Sequence, residues 1–198
     1  WEAQAEENVV ERLQRASLLA PPGEVDKVLQ TVVNNLEITN NIDVQPEIHC
    51  RVLLTAPLET FTIGHTIVIS RGLLDTLPDE ATLAAVLAHE LAHVVLGHRL
   101  DTQYAFSDRM LFSDEMTFQK FNLLHSEADE EAADKKAFEL LQNSPYKDKL
   151  QTVGLFLRQL EARRNSLPNL IRARLGNPLF EQKADVRLDQ LVSGSPEL

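Results

Sequence analysis

Hydrophobic residues recur with a helical period in the first part of the chain. Apolar side chains return every three or four positions within residues 2–20 and again within 24–38, and Pro21, Pro22 and Gly23 separate the two stretches. The apolar positions are Val9, Val10, Leu13, Ala16, Leu18, Val25, Val28, Leu29, Val32, Val33 and Leu36. Such a stripe is typical of an amphipathic helix that faces a core. We therefore predict two helices packed against one common core.

The period changes to that of a β-strand after residue 47. Residues 48–54 and 60–70 are rich in apolar and β-branched side chains, with Gly64 marking a bend or bulge. In the second stretch the apolar residues Phe61, Ile63, Ile67 and Ile69 stand at odd positions, and Thr62, Thr66 and Ser70 stand at even positions. This alternation predicts a half-buried strand. We expect a small antiparallel sheet of about three strands.

Three further helices are predicted beyond residue 71. The first starts near Thr76, with Asp79 as an acidic capping partner, and ends near Gly97. The second covers about 114–142 and the third 147–164. The tail is interrupted by Pro168, Gly176 and Pro178. These elements predict an α+β fold that is mostly helical, with the sheet packed on the first of these three helices.

The length and composition fit one domain that spans residues 1–198. We divide it into N-terminal helices (1–45), a core (46–142) and a C-terminal helix with an irregular tail (143–198). A net charge of -11 argues against nucleic acid and anionic membrane surfaces as partners. No run of 18 apolar residues is present, so we expect no transmembrane segment within the chain. The first residue is Trp1 rather than Met, which leaves room for additional domains or an anchor outside it.

The stretch VLAHELAHVVLGH, residues 86–98, contains an HExxH motif. His89 and His93 are four residues apart, so both imidazoles project from one face of a helix and can bind one metal ion. Glu90 is rotated by about 100° from His89 and is placed to take a proton from a water molecule. The alternative is a helix with two solvated histidines. We favour the metal site because the surrounding residues are apolar, and buried polar groups need partners.

A catalytic zinc site needs a third protein ligand. His98 lies five residues after His93 and points away from the metal face of a continuing helix, which favours a structural role. The segment 125–141 offers carboxylates instead: Glu127, Asp129, Glu130, Glu131 and Asp134. Glu130 and Asp134 share a helix face, so Glu130 can bind the metal while Asp134 accepts an imidazole N–H. Glu127 and Glu131 form a rival pair with the same spacing.

The segment 71–98, RGLLDTLPDEATLAAVLAHELAHVVLGH, followed by SEADEEAAD at 126–134, resembles metallopeptidase family forty-eight, the HtpX, BepA and Oma-type gluzincins. The resemblance implies a minigluzincin fold. It implies one zinc ion per chain, held by His89, His93 and Glu130, with Asp134 as the hydrogen-bond partner of a ligand. Glu130 is thereby preferred over its rival Glu127.

The family places its substrate cleft beneath an edge strand, which the sequence predicts within residues 61–70. We expect this strand to hold a peptide by β-augmentation, through Gly64, His65, Thr66 and Ile67. The alternatives are an ordinary core strand and, for His65, a solvent-facing side chain.

The resemblance also implies an arginine near the C-terminus that supports the oxyanion. Arg187 is the nearest match, with Arg172 and Arg174 as comparable candidates and plain surface arginines as the alternative. Residues 100–124 carry too many charges for a membrane hairpin, and their aromatic side chains form either a wall over the cleft or part of the core.

These features predict a zinc-dependent endopeptidase that acts on peptides or unfolded proteins. The alternative is a zinc-stabilised chaperone-like module, or a latent peptidase, with little turnover. The resemblance favours a protein of the bacterial periplasm or cell envelope.

Overall fold

The computed structural model describes residues 2–99, 125–163 and 177–178. The helices are α1 (Glu2–Arg15), α2 (Glu24–Thr39), α3 (Arg71–Leu74), α4 (Glu80–Leu96), α5 (Glu127–Gln142) and α6 (Leu150–Arg163), with a 3-10 turn at Lys147–Lys149 before α6. The strands are β1 (His49–Leu53), β2 (Glu59–Ile63), β3 (Thr66–Ser70) and β4 (Asn177–Pro178). The fold is α+β and mostly helical, as predicted from the sequence. Among the described residues, no helix has both the length and the apolar character needed to cross a membrane.

The sheet has the strand order β1-β3-β2-β4 and is mixed rather than antiparallel throughout. β2 and β3 form an antiparallel hairpin, whereas β1 runs parallel to β3. The turn between β2 and β3 is two residues long, Gly64 and His65, so these strands must be neighbours. β1 then pairs with the far side of β3. The chain reverses on entering and on leaving β2, which makes β1 and β3 point the same way.

The hairpin also changes which side chains share a face. The sequence pattern predicted one strand over 60–70, with its odd positions on one side. The turn instead pairs Thr62 with Ile67 and Thr60 with Ile69, so each threonine lies on the same face as its partner. Phe61 and Ile63 point to the opposite face. The β2 threonines are therefore buried rather than exposed to solvent, and Thr62 contacts α4 at Glu90.

Both faces of the sheet are covered, which corrects the prediction of one core shared by the first two helices. One cluster packs α1 against the hairpin and includes Val9, Leu13, Phe61, Ile63 and Val68. The other packs α2, α4, α5 and α6 against the opposite face and includes Leu29, Val32, Leu36, Cys50, Ile67, Leu87 and Leu140. Val25 and Val28 of α2 were predicted to be buried but are about half exposed. The buried stripe of α2 starts one turn later, at Leu29.

Cys50 lies in β1 within the larger core, with 3% of its surface exposed. Burial raises the pKa of its thiol to about 12. Because the thiolate is the reactive form, we expect no reaction with a thiol reagent at pH 8 in the native protein. The same reagent is expected to label one thiol per chain after denaturation. Rapid labelling of the native chain would contradict this burial.

Helix α4 begins after Asp79, and Thr76 is not its N-cap. The Asp79 carboxylate accepts hydrogen bonds from the backbone N–H and the hydroxyl of Thr82, at 2.9 and 2.7 Å. The Thr76 hydroxyl instead donates to the carbonyl oxygen of Leu73. Asp79 thus satisfies a backbone donor that the first turn leaves open.

We expect Asp79→Ala to lower the free energy of unfolding by about 1 kcal/mol, the usual contribution of such a cap. The Thr82 hydrogen bonds lower the pKa of Asp79 in the folded state. The unfolded chain therefore binds the proton more tightly, and the stabilisation present at neutral pH is lost as the pH falls through the folded pKa. Chemical denaturation at several pH values measures both effects. Asp79→Asn is the control, because it keeps the cap without the titration; equal stability of parent and alanine variant at pH 7 would refute the cap.

Candidate metal centre

The centre lies where α4 and α5 pack against each other. α5 begins at Glu127, where the Ser126 hydroxyl caps the helix by accepting the N–H of Asp129, rather than near residue 114 as predicted. Residues 114–124 are outside the described residues. The buried alanines Ala133 and Ala137 of α5 belong to the same cluster as Ala88 and Ala92 of α4. Small side chains let two helix backbones approach closely, which brings the polar faces of the two helices together.

Three side chains converge at this interface. Nε2 of His89 lies 3.1 Å from Nε2 of His93 and 3.2 Å from Oε2 of Glu130. Nε2 of His93 lies 3.6 Å from Oε1 of Glu130. One ligand atom from each residue thus falls within 4.8 Å of the other two. Both histidines are buried, and the Glu130 side chain is 27% exposed.

This donor set fits a zinc ion. Two imidazole nitrogens and one carboxylate oxygen are ligands that zinc prefers, and three protein ligands leave one position open, as in catalytic sites. Crowding three acceptor atoms in a mostly buried place is unfavourable without a cation between them. The structure brings together the three residues that the sequence predicted as ligands, and the rival pair Glu127 and Glu131 is exposed.

His89 has a carboxylate behind it. Its Nδ1 lies 2.9 Å from Oδ1 of Asp134, one turn beyond Glu130 on α5. A carboxylate at this distance favours a proton on Nδ1, which leaves the Nε2 lone pair for a metal ion. The structure thus places Asp134 next to His89, on the helix face that Asp134 shares with Glu130.

His98 returns toward the metal face instead of pointing away. The sequence argument assumed that α4 continues, but Gly97 ends it in the left-handed region (φ 69°) and turns the chain back. Nδ1 of His98 therefore lies 3.0 Å from Nδ1 of His93, and its Nε2 lies 3.5 Å from Oδ1 of Asp129. If the proton of His93 is on Nδ1, it is donated to His98, whose own Nε2–H faces Asp129. This arrangement leaves Nε2 of His93 as a metal ligand.

We expect His98→Ala to weaken zinc affinity by about 10- to 100-fold, the usual effect of removing a partner of a metal ligand. Competition with a chromogenic chelator measures this. His49→Ala is the matched control, because His49 is exposed at the start of β1, away from the site. Equal zinc affinities for the two variants would show that His98 does not support His93.

His125 and Thr62 contribute to the site but were not predicted. The His125 ring stacks on His93, with centroids 3.9 Å apart and planes 15° apart, and burial lowers its pKa. His125 could have been found from the sequence, because it stands one residue before the Ser126 cap and the start of α5 packs near the end of α4.

The Thr62 hydroxyl donates to Oε2 of Glu90 at 2.6 Å. This contact was not predicted from the sequence because the alternating pattern placed Thr62 on the solvent-facing side of the strand.

The predicted peptide-binding residues are not on an edge of the sheet. Thr66 and Ile67 belong to β3, which pairs with β1 on one side and β2 on the other, and Ile67 is fully buried. The prediction of an edge strand is therefore wrong for these two residues. Gly64 and His65 form the hairpin turn, where the carbonyl oxygen of His65 accepts the N–H of His49. The strand that contacts α4 at Glu90 is β2.

The other predicted contributors, Arg172, Arg174, Arg187 and residues 100–124, lie outside the described residues.

Comparison with known proteins identifies the family. The family model of Peptidase family M48 matches residues 24–170, which include helices α2 to α6, the strands β1 to β3 and the whole candidate centre. No curated protein matches the chain significantly. The family match covers more than half of the chain and agrees with a potential metal-binding triad at the α4–α5 interface. The chain belongs to peptidase family M48.

Proposed function

We propose that the chain is a zinc-dependent endopeptidase in which His89, His93 and Glu130 hold one zinc ion. The observation that carries the proposal is the convergence of these three ligands, with the Glu90 carboxylate one residue from His89 on α4. Membership of peptidase family M48 supports metallopeptidase activity. Two further features support the site: Asp134 lies behind His89, and His98 lies behind His93.

Zinc bound at this site supplies a Lewis acid that polarises the scissile carbonyl and acidifies water. Glu90 acts as general base and takes the proton from the attacking water. It then delivers this proton to the nitrogen of the leaving amine. The Glu90 side chain is anchored for this task, since Oε2 accepts the Thr62 hydroxyl. The imidazoles of His89 and His93 stay fixed through Asp134 and His98.

The substrate is proposed to lie along β2 rather than along residues 64–67. Ile63 and Thr66 are paired and flank a two-residue turn. In such a hairpin the flanking pair exchanges its backbone hydrogen bonds, so we expect the backbone groups of Thr62 and Thr60 to point away from β3. β4 pairs with Glu59 and Thr60. An extended peptide that pairs with β2 beyond this point, near Thr62, lies next to Glu90. Unfolded segments meet this requirement, because a folded substrate has its backbone groups already paired.

The test is hydrolysis of a disulfide-free unfolded protein such as casein, with and without a chelator. An endopeptidase produces internal fragments that appear only without chelator. A zinc-stabilised chaperone-like module binds the same protein and leaves it intact. Intact casein with stoichiometric zinc in the chain would overturn the proposal.

A further inference from the structure

Glu90 and Thr62 form a buried hydrogen bond between α4 and β2. Their residues are 3% and 4% exposed. A carboxylate removed from water needs donors to replace its hydration, and hydrogen bonds to charged acceptors are the stronger ones. The Thr62 hydroxyl supplies such a donor at 2.6 Å from Oε2.

The hydroxyl proton is directed to the carboxylate rather than to the helix backbone. Oγ1 of Thr62 also lies 3.3 Å from the carbonyl oxygen of Glu90. A hydroxyl has one proton to donate, and the shorter contact is to the charged acceptor. The bond therefore restrains the side chain of Glu90 rather than only its backbone.

From this contact we propose that Thr62 is a positioning residue for the general base. It holds Oε2 of Glu90 and thereby fixes the orientation of the carboxylate that accepts the proton of the attacking water. The inference rests on the proposed function, in which Glu90 performs the proton transfer. It goes further by naming Thr62 of β2 as the residue that sets the orientation of the Glu90 carboxylate.

Thr62 also links the base to the strand that receives the peptide. Its side chain is bonded to Glu90, while its backbone groups belong to the outer side of β2. A peptide paired at Thr62 is thus placed relative to the same residue that places Glu90. Errors in the position of a reacting group of about 1 Å reduce rates strongly, so one shared anchor favours correct alignment.

Thr60 offers a matched control two residues away. It lies on the same face of β2, is 3% exposed, and also donates its hydroxyl proton, but to the carbonyl oxygen of Val68 at 3.0 Å. Thr60→Val and Thr62→Val thus each remove one buried hydroxyl donor from the same face of the same strand, to a neutral carbonyl oxygen in the first case and to a carboxylate in the second. Only Thr62→Val removes a bond to Glu90.

We expect Thr62→Val to lower kcat about 10- to 100-fold with KM changed by less than about twofold. Thr62→Ser keeps the hydroxyl and is expected to restore kcat to within about threefold of the parent. Thr60→Val is expected to leave kcat within about twofold of the parent. All three variants are expected to bind one zinc per chain. If Thr62→Val and Thr60→Val show equal kcat, or if Thr62→Ser is as slow as Thr62→Val, the positioning role is overturned.

A second measurement does not depend on turnover. In a double-mutant cycle of unfolding free energies, Thr62→Val and Glu90→Ala are expected to be non-additive, whereas Thr60→Val and Glu90→Ala are expected to add. Additive effects for the first pair would overturn the Thr62–Glu90 contact. An inactive zinc-loaded parent would overturn the proposed function instead, so the two failures are distinguishable.

Discussion

Glu90→Gln is expected to retain one zinc ion per chain and to lose peptide hydrolysis. The amide of glutamine has the shape of the carboxylate but cannot take up a proton, so the step assigned to Glu90 is lost. General acid–base catalysis raises reaction rates by about 10²- to 10⁴-fold, so we expect kcat to fall by at least about 10²-fold. The amide oxygen can still accept the Thr62 hydroxyl, and His89, His93 and Glu130 are unchanged. Metal analysis and cleavage of a fluorogenic peptide test both halves of the prediction.

The matched control is Glu139→Gln on α5, where the carboxylate is 63% exposed and pairs with Lys136. This variant makes the same chemical change away from the centre and is expected to cleave like the parent. Cleavage by Glu90→Gln at the parental rate would show that another group transfers the proton. Loss of zinc from Glu90→Gln would mean that Glu90 belongs to the ligand set.

Glu130→Ala is expected to lose zinc. Its carboxylate oxygens lie 3.2 and 3.6 Å from Nε2 of His89 and His93, which makes it the third donor. Removing a residue that only hydrogen-bonds to a ligand lowers metal affinity by about 10- to 100-fold, so removing a ligand itself should lower it more. Hydrolysis is expected to fall with the bound metal and to return only partly at high zinc concentration. Equilibrium dialysis against buffered zinc measures the affinity.

The rival carboxylates on the same helix provide the controls. Glu127 is exposed, and Glu131, with 64% of its side chain exposed, pairs with Lys135 at 2.7 Å. Glu127→Ala and Glu131→Ala are therefore expected to bind zinc as tightly as the parent. An unchanged zinc affinity in Glu130→Ala, together with a loss in Glu127→Ala, would reverse the assignment of the third ligand.

The chemistry of the centre is largely readable from local spacing. A helical repeat places His89 above His93, and the same repeat places Glu130 with Asp134, so each pair follows from the sequence. The choice between Glu130 and Glu127 does not follow from spacing, because both have a carboxylate four residues later. The structure brings Glu130 to the histidines through the packing of α4 on α5, which involves residues about 40 positions apart.

The missed features each depend on a change of chain direction. Treating 60–70 as one strand assigned Thr62 to solvent, whereas a turn at Gly64 places it on the face of Ile67. The direction predicted for His98 holds only for a continuing helix, whereas the turn at Gly97 brings His98 back to His93. The mostly helical α+β class followed from the periodicity. The parallel pairing of β1 with β3 did not, because pairing is decided by contacts between distant segments.

Zinc titration of the metal-free chain tests the central claim most directly. The protein is stripped with a chelator, zinc is added in fractions of one equivalent, and hydrolysis of unfolded casein is followed at each step. The proposed centre predicts no hydrolysis without metal and a linear rise that reaches a plateau at one zinc per chain. Hydrolysis that is independent of zinc, or one equivalent of bound zinc with casein left intact, would contradict it.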